Sequence, residues 1–135
     1  MTVVFTNGCF DLIHQGHLDL LKKAKNMGKE LYVGINSDES VRRLKGSERP
    51  INAQSFRVNL LESIKYVDKV FLFEEDTPIN LIKQIKPDIL VKGGDYKINK
   101  VVGADFVGSY GGDTIIIPLT PGFSTTNTIK NINNK

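Results

Sequence analysis

Thr6-Asn7-Gly8-Cys9-Phe10-Asp11-Leu12-Ile13-His14-Gln15-Gly16-His17 stands between an apolar run, Val3-Val4-Phe5, and a helical pattern, Leu18, Leu20, Leu21, Ala24. A strand ends here, a glycine-bearing loop turns, and a helix opens. The first turn of a helix carries free N–H groups and a partial positive charge, so this junction is a natural place for a phosphate. Gly8 and Gly16 allow the backbone to approach such a group closely. Both histidines of the chain, His14 and His17, fall at this end, three residues apart. That spacing puts them on one face of a helical turn. Two imidazoles there are suited to hold a nucleotide phosphate and to steady charge as it moves.

Outward from this junction, short apolar runs alternate with amphipathic stretches. Strands are predicted at Val3–Thr6, Leu31–Ile35, Val70–Phe73, Ile89–Lys92 and Thr114–Pro118. Helices are predicted at Leu18–Met27, stopped by Gly28, and at Glu39–Leu44, capped by Ser37 or Asp38. Further helices are expected at Ala53–Lys65, with Phe56, Leu60, Leu61 and Ile64 in period, at Pro78–Ile85 behind a Thr77 cap, and over Val101–Tyr110. Ser124 or Thr125 opens a last short helix, Asn127–Asn131. This alternation implies an α/β fold, a Rossmann-like doubly wound sheet of five parallel strands with helices on both faces, in a single domain spanning residues 1–135. In such sheets ligands bind beyond the carboxyl ends of the strands.

Composition bounds the function. The chain has 135 residues, 40% hydrophobic and 24% charged, which suits one globular domain with a real core. No apolar run approaches the roughly 20 residues that span a bilayer. No signal-peptide pattern opens the sequence, so a cytoplasmic protein without membrane contact is expected. The single cysteine, Cys9, excludes an internal disulfide framework. Net charge is +3, but the basic residues are scattered and not interleaved with aromatics. That argues against a nucleic-acid surface and fits small polyanions such as nucleoside triphosphates and sugar phosphates. A zinc site built on His14 and His17 needs further ligands, and only Cys9 and scattered carboxylates remain. No metal ligand is assigned.

Other segments fall at the same end of the expected sheet. Lys45-Gly46-Ser47-Glu48-Arg49-Pro50 is either an ordinary surface loop or a basic flap in which Lys45 and Arg49 close over a triphosphate. Arg57 and Lys65, on the next helix, share a face and either contact phosphates or stay solvated. Lys92-Gly93-Gly94-Asp95-Tyr96 comes after the fourth strand, and Gly122-Phe123-Ser124-Thr125-Thr126 precedes the last helix. Ser and Thr there cap the helix, which is compatible with binding phosphate at the same end. Cys9 reads as a small filler of the loop.

The pattern Gly8, Phe10, Asp11, His14, Gly16, His17 resembles the G-x-F-D-x-x-H-x-G-H signature of the HxGH nucleotidyltransferases, the cytidylyltransferase-like superfamily. Three longer blocks, 33–46, 87–96 and 118–126, together with Val102-Gly103-Ala104-Asp105, look like its D-glycero-β-D-manno-heptose 1-phosphate adenylyltransferase branch. Glycerol-3-phosphate cytidylyltransferases share the first motif, the Ser124-Thr125-Thr126 motif and the size. The resemblance implies transfer of AMP from ATP to a sugar 1-phosphate by direct in-line attack, with Mg²⁺ on the triphosphate. It implies catalytic roles for His14, His17 and Lys45. It implies a nucleotide site from Thr6, Asn7, Gly8, Cys9, Phe10, Asp11, Gly16, Lys92, Gly93, Asp95, Ser124, Thr125 and Thr126. An acceptor-orienting role for Asp95 is implied by that family's arrangement, and Arg49, Arg57 and Lys65 stand as phosphate or acceptor contacts. Many members add an arginine or lysine about three residues after the last Thr. Here that position is Ile129, beside Lys130. A homodimer is implied too, as is a functional pairing with a sugar kinase, to which the branch is fused in many bacteria. A nucleotide-binding module without turnover is the alternative that keeps Gly8 and the sheet.

Overall fold

The computed structural model describes residues 2–94 and 96–118. Its elements are β1 (Val3–Gly8), α1 (Gln15–Lys25), β2 (Glu30–Asn36), α2 (Asp38–Lys45), α3 (Gln54–Glu62), β3 (Lys69–Phe73), α4 (Ile79–Ile85), β4 (Ile89–Gly93), a short 3-10 turn (Ile98–Lys100), α5 (Ala104–Ser109) and β5 (Asp113–Ile117). All four strand pairings are parallel, in the order β3-β2-β1-β4-β5. Successive strands step outward from β1 to β3, and the chain then crosses back to start again beside β1. That reversal opens a crevice between the carboxyl ends of β1 and β4, the place where doubly wound sheets bind ligands.

Neighbouring strand residues face opposite sides, and the packing reflects it. Val4, Leu31, Val33, Ile35 and Val91 meet Leu20, Leu21 and Ala24 of α1 and Leu61 of α3 on one face. Phe5 and Leu90 meet Leu81 and Ile82 of α4 and Val107 of α5 on the other. Gly34 makes the second layer close: a Cβ there would stand 2.8 Å from Phe5 Cζ and 3.0 Å from Leu81 Cδ2. Among the described residues no helix is long and apolar enough to cross a membrane.

Several element bounds differ from the sequence reading, each for a local reason. α1 begins three residues earlier, at Gln15, because His14 itself caps it. It ends at Lys25 with Asn26 as C-cap. Gly28 serves close packing, since a Cβ would lie 2.8 Å from Val4 Cγ2 and 2.9 Å from the Thr2 carbonyl. Ser37 caps α2 as expected, its Oγ accepting from the Ser40 N–H at 3.2 Å. α4 starts at Ile79, with Pro78 in the N-cap position and no side-chain cap. α3 stops at Glu62, and its Phe56 and Leu60 are exposed, so the periodic apolar set there is only partly a core face. The expected helix Asn127–Asn131 lies outside the described residues.

Candidate active site

β1 delivers Asn7 and Gly8 to the crevice, and the loop beyond them turns through Phe10, whose φ is +48°. Helix α1 then opens with an unusual cap. His14 sits at the N-cap with extended backbone, and its Nδ1 accepts from the Gly16 N–H at 3.1 Å. His17 reaches back, its Nδ1 accepting from the His14 N–H at 3.3 Å. This is the reciprocal logic of a capping box, run by two imidazoles. The two rings stack, centroids 3.9 Å apart and 24° between planes, and Phe10 abuts His17 at 5.2 Å.

The capping geometry decides the chemistry of the pair. An imidazole nitrogen that accepts a hydrogen bond carries no proton, so each neutral ring bears its proton on Nε2. Burial lowers the His14 pKa. Burial, then the neighbouring charges of His14 and Lys45, push His17 down to about 4. Near pH 7 both rings are therefore neutral Nε2–H donors held rigidly at the positive end of α1.

Stability should therefore depend on pH. His17 titrates near 4 when folded against an ordinary 6.5, so the unfolded chain takes the proton first as pH falls. The His17 contribution is complete above pH 6.5 and is lost between pH 6.5 and 4. Urea unfolding at pH 7.5 and pH 5 should show the protein losing about 1–2 kcal/mol more than a His17→Asn variant does over the same interval. Parallel losses in the two proteins would refute this.

The loop carrying these histidines is bolted to the segment after α2. The Asp11 carboxylate, 1% exposed, accepts from Arg49 Nε, the Ile51 N–H and the Asn52 N–H, each at 2.8 Å. Burial works to raise its pKa, but the Asn52 and Ile51 amides and the Arg49 guanidinium outweigh that and lower it. Asn52 Nδ2 donates back to the Asp11 carbonyl at 2.5 Å. Arg57, 1% exposed, donates from Nη1 to the carbonyls of Cys9 and Asn36 and from Nε to that of Asn52. Its Nη2 pairs with Asp38 at 2.8 Å. One guanidinium thus ties the β1–α1 loop, the end of β2, the start of α2 and the 49–52 segment together.

A two-lobed cleft opens above this scaffold. The smaller lobe, about 160 Å³, is lined by Asn7, Gly8, Cys9, Phe10, His17, Leu20, Lys45, Lys92 and Gly93. The larger lobe, about 450 Å³, shares Asn7, Gly8, Cys9, Lys45 and Lys92 and adds Asn36, Leu44, Asp76, Thr77, Pro78, Tyr96, Lys100, Val101 and Val102. Lys45 is the last residue of α2, released by Gly46 at φ +105°. Burial, with Lys45 adding to it, lowers the pKa of Lys92, whose Nζ lies 5.2 Å from the Tyr96 ring centre. Burial outweighs the nearby cations at Cys9 and raises its pKa, which keeps it a thiol at neutral pH.

The structure thus brings Asn7, Gly8, Cys9, Phe10, His17, Lys45, Lys92 and Gly93 to one cleft, with His14 stacked on His17. It separates others from that cleft. Arg57 and Lys65 do not share a helix face: α3 ends before Lys65, which is exposed beside Tyr66, while Arg57 is buried and committed to carbonyls and Asp38. Arg49 and Asp11 hold each other and line neither lobe. Gly16 is buried in the first turn of α1. Thr6 is 0% exposed, its hydroxyl without a partner among the described residues. Replacing such a hydroxyl by a methyl is neutral or favourable. Thr6→Val should therefore keep or raise stability by up to about 1 kcal/mol in urea unfolding; a loss beyond about 1 kcal/mol would assign the hydroxyl a partner. Asp95, Ser124, Thr125 and Thr126 lie outside the described residues. Asn36, Asp76, Thr77, Tyr96 and Lys100 are cleft residues that sequence reasoning missed; for Asn36 the available signal was its place at the carboxyl end of β2, and for Asp76 its place in the connection that follows β3.

The cytidylyltransferase-like family model matches residues 5–131. The chain belongs to that family. This cytidylyltransferase-like domain is 54% identical over 131 residues to the bifunctional protein HldE of Paramagnetospirillum magneticum, covering 97% of this chain and 27% of the relative. It is 54% identical to the bifunctional protein HldE of Campylobacter fetus, with 97% and 28% covered. The chain thus spans a little over a quarter of the length of these curated relatives. Among solved structures, a lipopolysaccharide core biosynthesis protein from Thermoplasma volcanium superposes with a TM-score of 0.71 at 29% identity, covering 89% of this chain and 97% of that one. A pantoate–β-alanine ligase from Francisella tularensis, at 18% identity and a TM-score of 0.60, shares the fold. The HxGH assignment, the nucleotidyltransferase family and the parallel Rossmann-like sheet expected from sequence hold.

Proposed function

We propose that this domain transfers AMP from ATP to D-glycero-β-D-manno-heptose 1-phosphate, releasing pyrophosphate and forming ADP-heptose for surface-polysaccharide precursors. The observation that carries the reading is the neutral His17 imidazole, stacked on His14 at the start of α1 and lining a cleft that Lys45 and Lys92 make cationic. The attacking sugar phosphate is already ionised at pH 7, so no general base is required. The described cleft offers what remains: donors for the charge on the transferring phosphoryl group, on preorganised backbone. The His17 Nε2–H and Lys45 meet the triphosphate, and His14 braces His17. Identity above half with proteins called HldE supports the acceptor and the nucleotide.

Mg²⁺ fits this site as a passenger of the triphosphate. No cluster of three acidic, histidine or cysteine ligands exists among the described residues, and Asp76 is the one carboxylate in the described cleft lining. Bound to phosphate oxygens, the ion would neutralise the leaving pyrophosphate. The same reading gives the domain a cytoplasmic setting, ATP and a sugar phosphate as small-molecule partners, a sugar kinase as supplier of the acceptor, and a homodimeric state.

The family description keeps one further reading in play, CTP with glycerol 3-phosphate. Pyrophosphate release with Mg²⁺, crossing ATP and CTP against heptose 1-phosphate and glycerol 3-phosphate, tests both. Turnover is expected with ATP and the heptose phosphate alone. Turnover with CTP and glycerol phosphate would overturn the substrate assignment and keep the mechanism; silence in all four would overturn both.

A further inference from the structure

Asp76 and Thr77, in the connection between β3 and α4, line the larger lobe, yet residues 74–77 are exposed and little packing holds them. Cys9 and Asn36 line the same lobe, from the β1–α1 loop and the end of β2. A chain of side-chain hydrogen bonds joins these two parts of the lining. The Cys9 thiol donates to Asn36 Oδ1 at 3.7 Å, Asn36 Nδ2 donates to Ser40 Oγ at 3.0 Å, and the Ser40 hydroxyl donates to the Glu75 carbonyl at 3.0 Å. Every donor points the same way, from the loop towards residue 75. Asn36 and Ser40, in the middle of the chain, are 4% and 0% exposed.

A helical serine commonly turns its hydroxyl to the carbonyl four residues back. For Ser40 that is the carbonyl of Asn36, which accepts from Arg57 Nη1 at 2.6 Å, and the hydroxyl turns instead to a segment 35 residues on. The other side-chain ties on residues 74–77 come from Arg43. It donates from Nε to Asp76 Oδ1 at 2.9 Å and from Nη2 to the Glu74 carbonyl. Arg43 and Asp76 are both exposed, where water competes and an ion pair contributes little. The Ser40 hydroxyl is shielded from water, where a hydrogen bond is stronger and an unmade one costs more. Ser40 itself lines neither lobe.

We infer that Ser40 is a positioning residue: through Asn36 and Glu75 it locks residues 75–77 to the Cys9 loop and so fixes the shape of the larger lobe for the substrate that enters it. This rests on the AMP-transfer reading for the identity of the two substrates. The test compares wild type with Ser40→Ala, which removes one oxygen and two bonds of the chain and keeps a good helix former. Val41→Ala is the control: it opens a gap under the same helix, at a buried residue outside the chain. Thermal melts set an assay temperature at which all three proteins are folded. Pyrophosphate release with Mg²⁺ gives kcat and the KM values for ATP and heptose 1-phosphate. In Ser40→Ala one of the two KM values should rise about tenfold, the worth of one good hydrogen bond, with the other within about twofold and kcat within about threefold. The second readout needs no turnover. Cys9 is the single cysteine, so iodoacetamide reads the far end of the chain in the ligand-free protein. Its alkylation should quicken about threefold or more in Ser40→Ala, where the Asn36 amide has lost its partner, and by less than about twofold in Val41→Ala. Both KM values rising together, neither rising, the same pattern in Val41→Ala, or an alkylation rate indifferent to Ser40 overturns the assignment. If wild type turns over neither substrate pair, the AMP-transfer reading fails by itself, and the alkylation rates alone decide the role of Ser40.

Discussion

His17→Ala will lower the rate of AMP transfer by two orders of magnitude or more while leaving the nucleotide affinity within a fewfold of wild type. Removing one preorganised donor from a site of developing charge costs about 100- to 1,000-fold in kcat. His17 is such a donor because its Nδ1 is occupied by the His14 N–H and its proton is confined to Nε2. The substitution also removes half of the α1 cap, a loss of about 1 kcal/mol that a thermal melt will register. His17→Asn separates the two effects, since an amide can still accept from a helix-start N–H. Steady-state pyrophosphate release for the three proteins decides the matter. A rate loss below about threefold in His17→Ala would sink the assigned role.

Arg57→Met will cost about 3 kcal/mol of stability, although its side chain touches neither lobe of the cleft. Removing the buried guanidinium takes the partner from the half-buried Asp38 and orphans the carbonyls of Cys9, Asn36 and Asn52. A volume-matched apolar side chain keeps the packing, so the loss reads the polar network and not a cavity. Because Cys9 belongs to the loop that lines both lobes of the cleft, activity at temperatures below the melt should fall as well. Lys65→Met, its exposed counterpart, should change stability by less than about 0.5 kcal/mol. Urea midpoints for the two variants make the comparison, and a loss under about 1 kcal/mol for Arg57→Met would show that the network is not a joint of the fold.

These two arginine and lysine positions mark where sequence reading ends. At equal depth in a periodic pattern, Arg57 and Lys65 look alike; both are cations after an apolar residue. What separates them is that α3 stops at Glu62 and that Arg57 meets carbonyls contributed by distant segments. Asp11 behaves in the same way. In the chain it belongs to a motif around two histidines, and in the fold its carboxylate closes on amides 40 and 41 residues away. Phe56 and Leu60 kept helical period and still face outward, because period reports a helix face and not what covers it.

The sequence by itself determined the parallel sheet, the strand-to-helix junction that carries both histidines, and the family. Each rests on local signals, such as residue period, turn glycines and a spaced motif, that need no partner elsewhere in the chain. The tertiary structure alone decided the protonated nitrogen of each histidine, the two lobes of the cleft, and which cations face it. Those are set by backbone donors, burial and charges that meet only once distant segments have folded together, so no linear spacing records them.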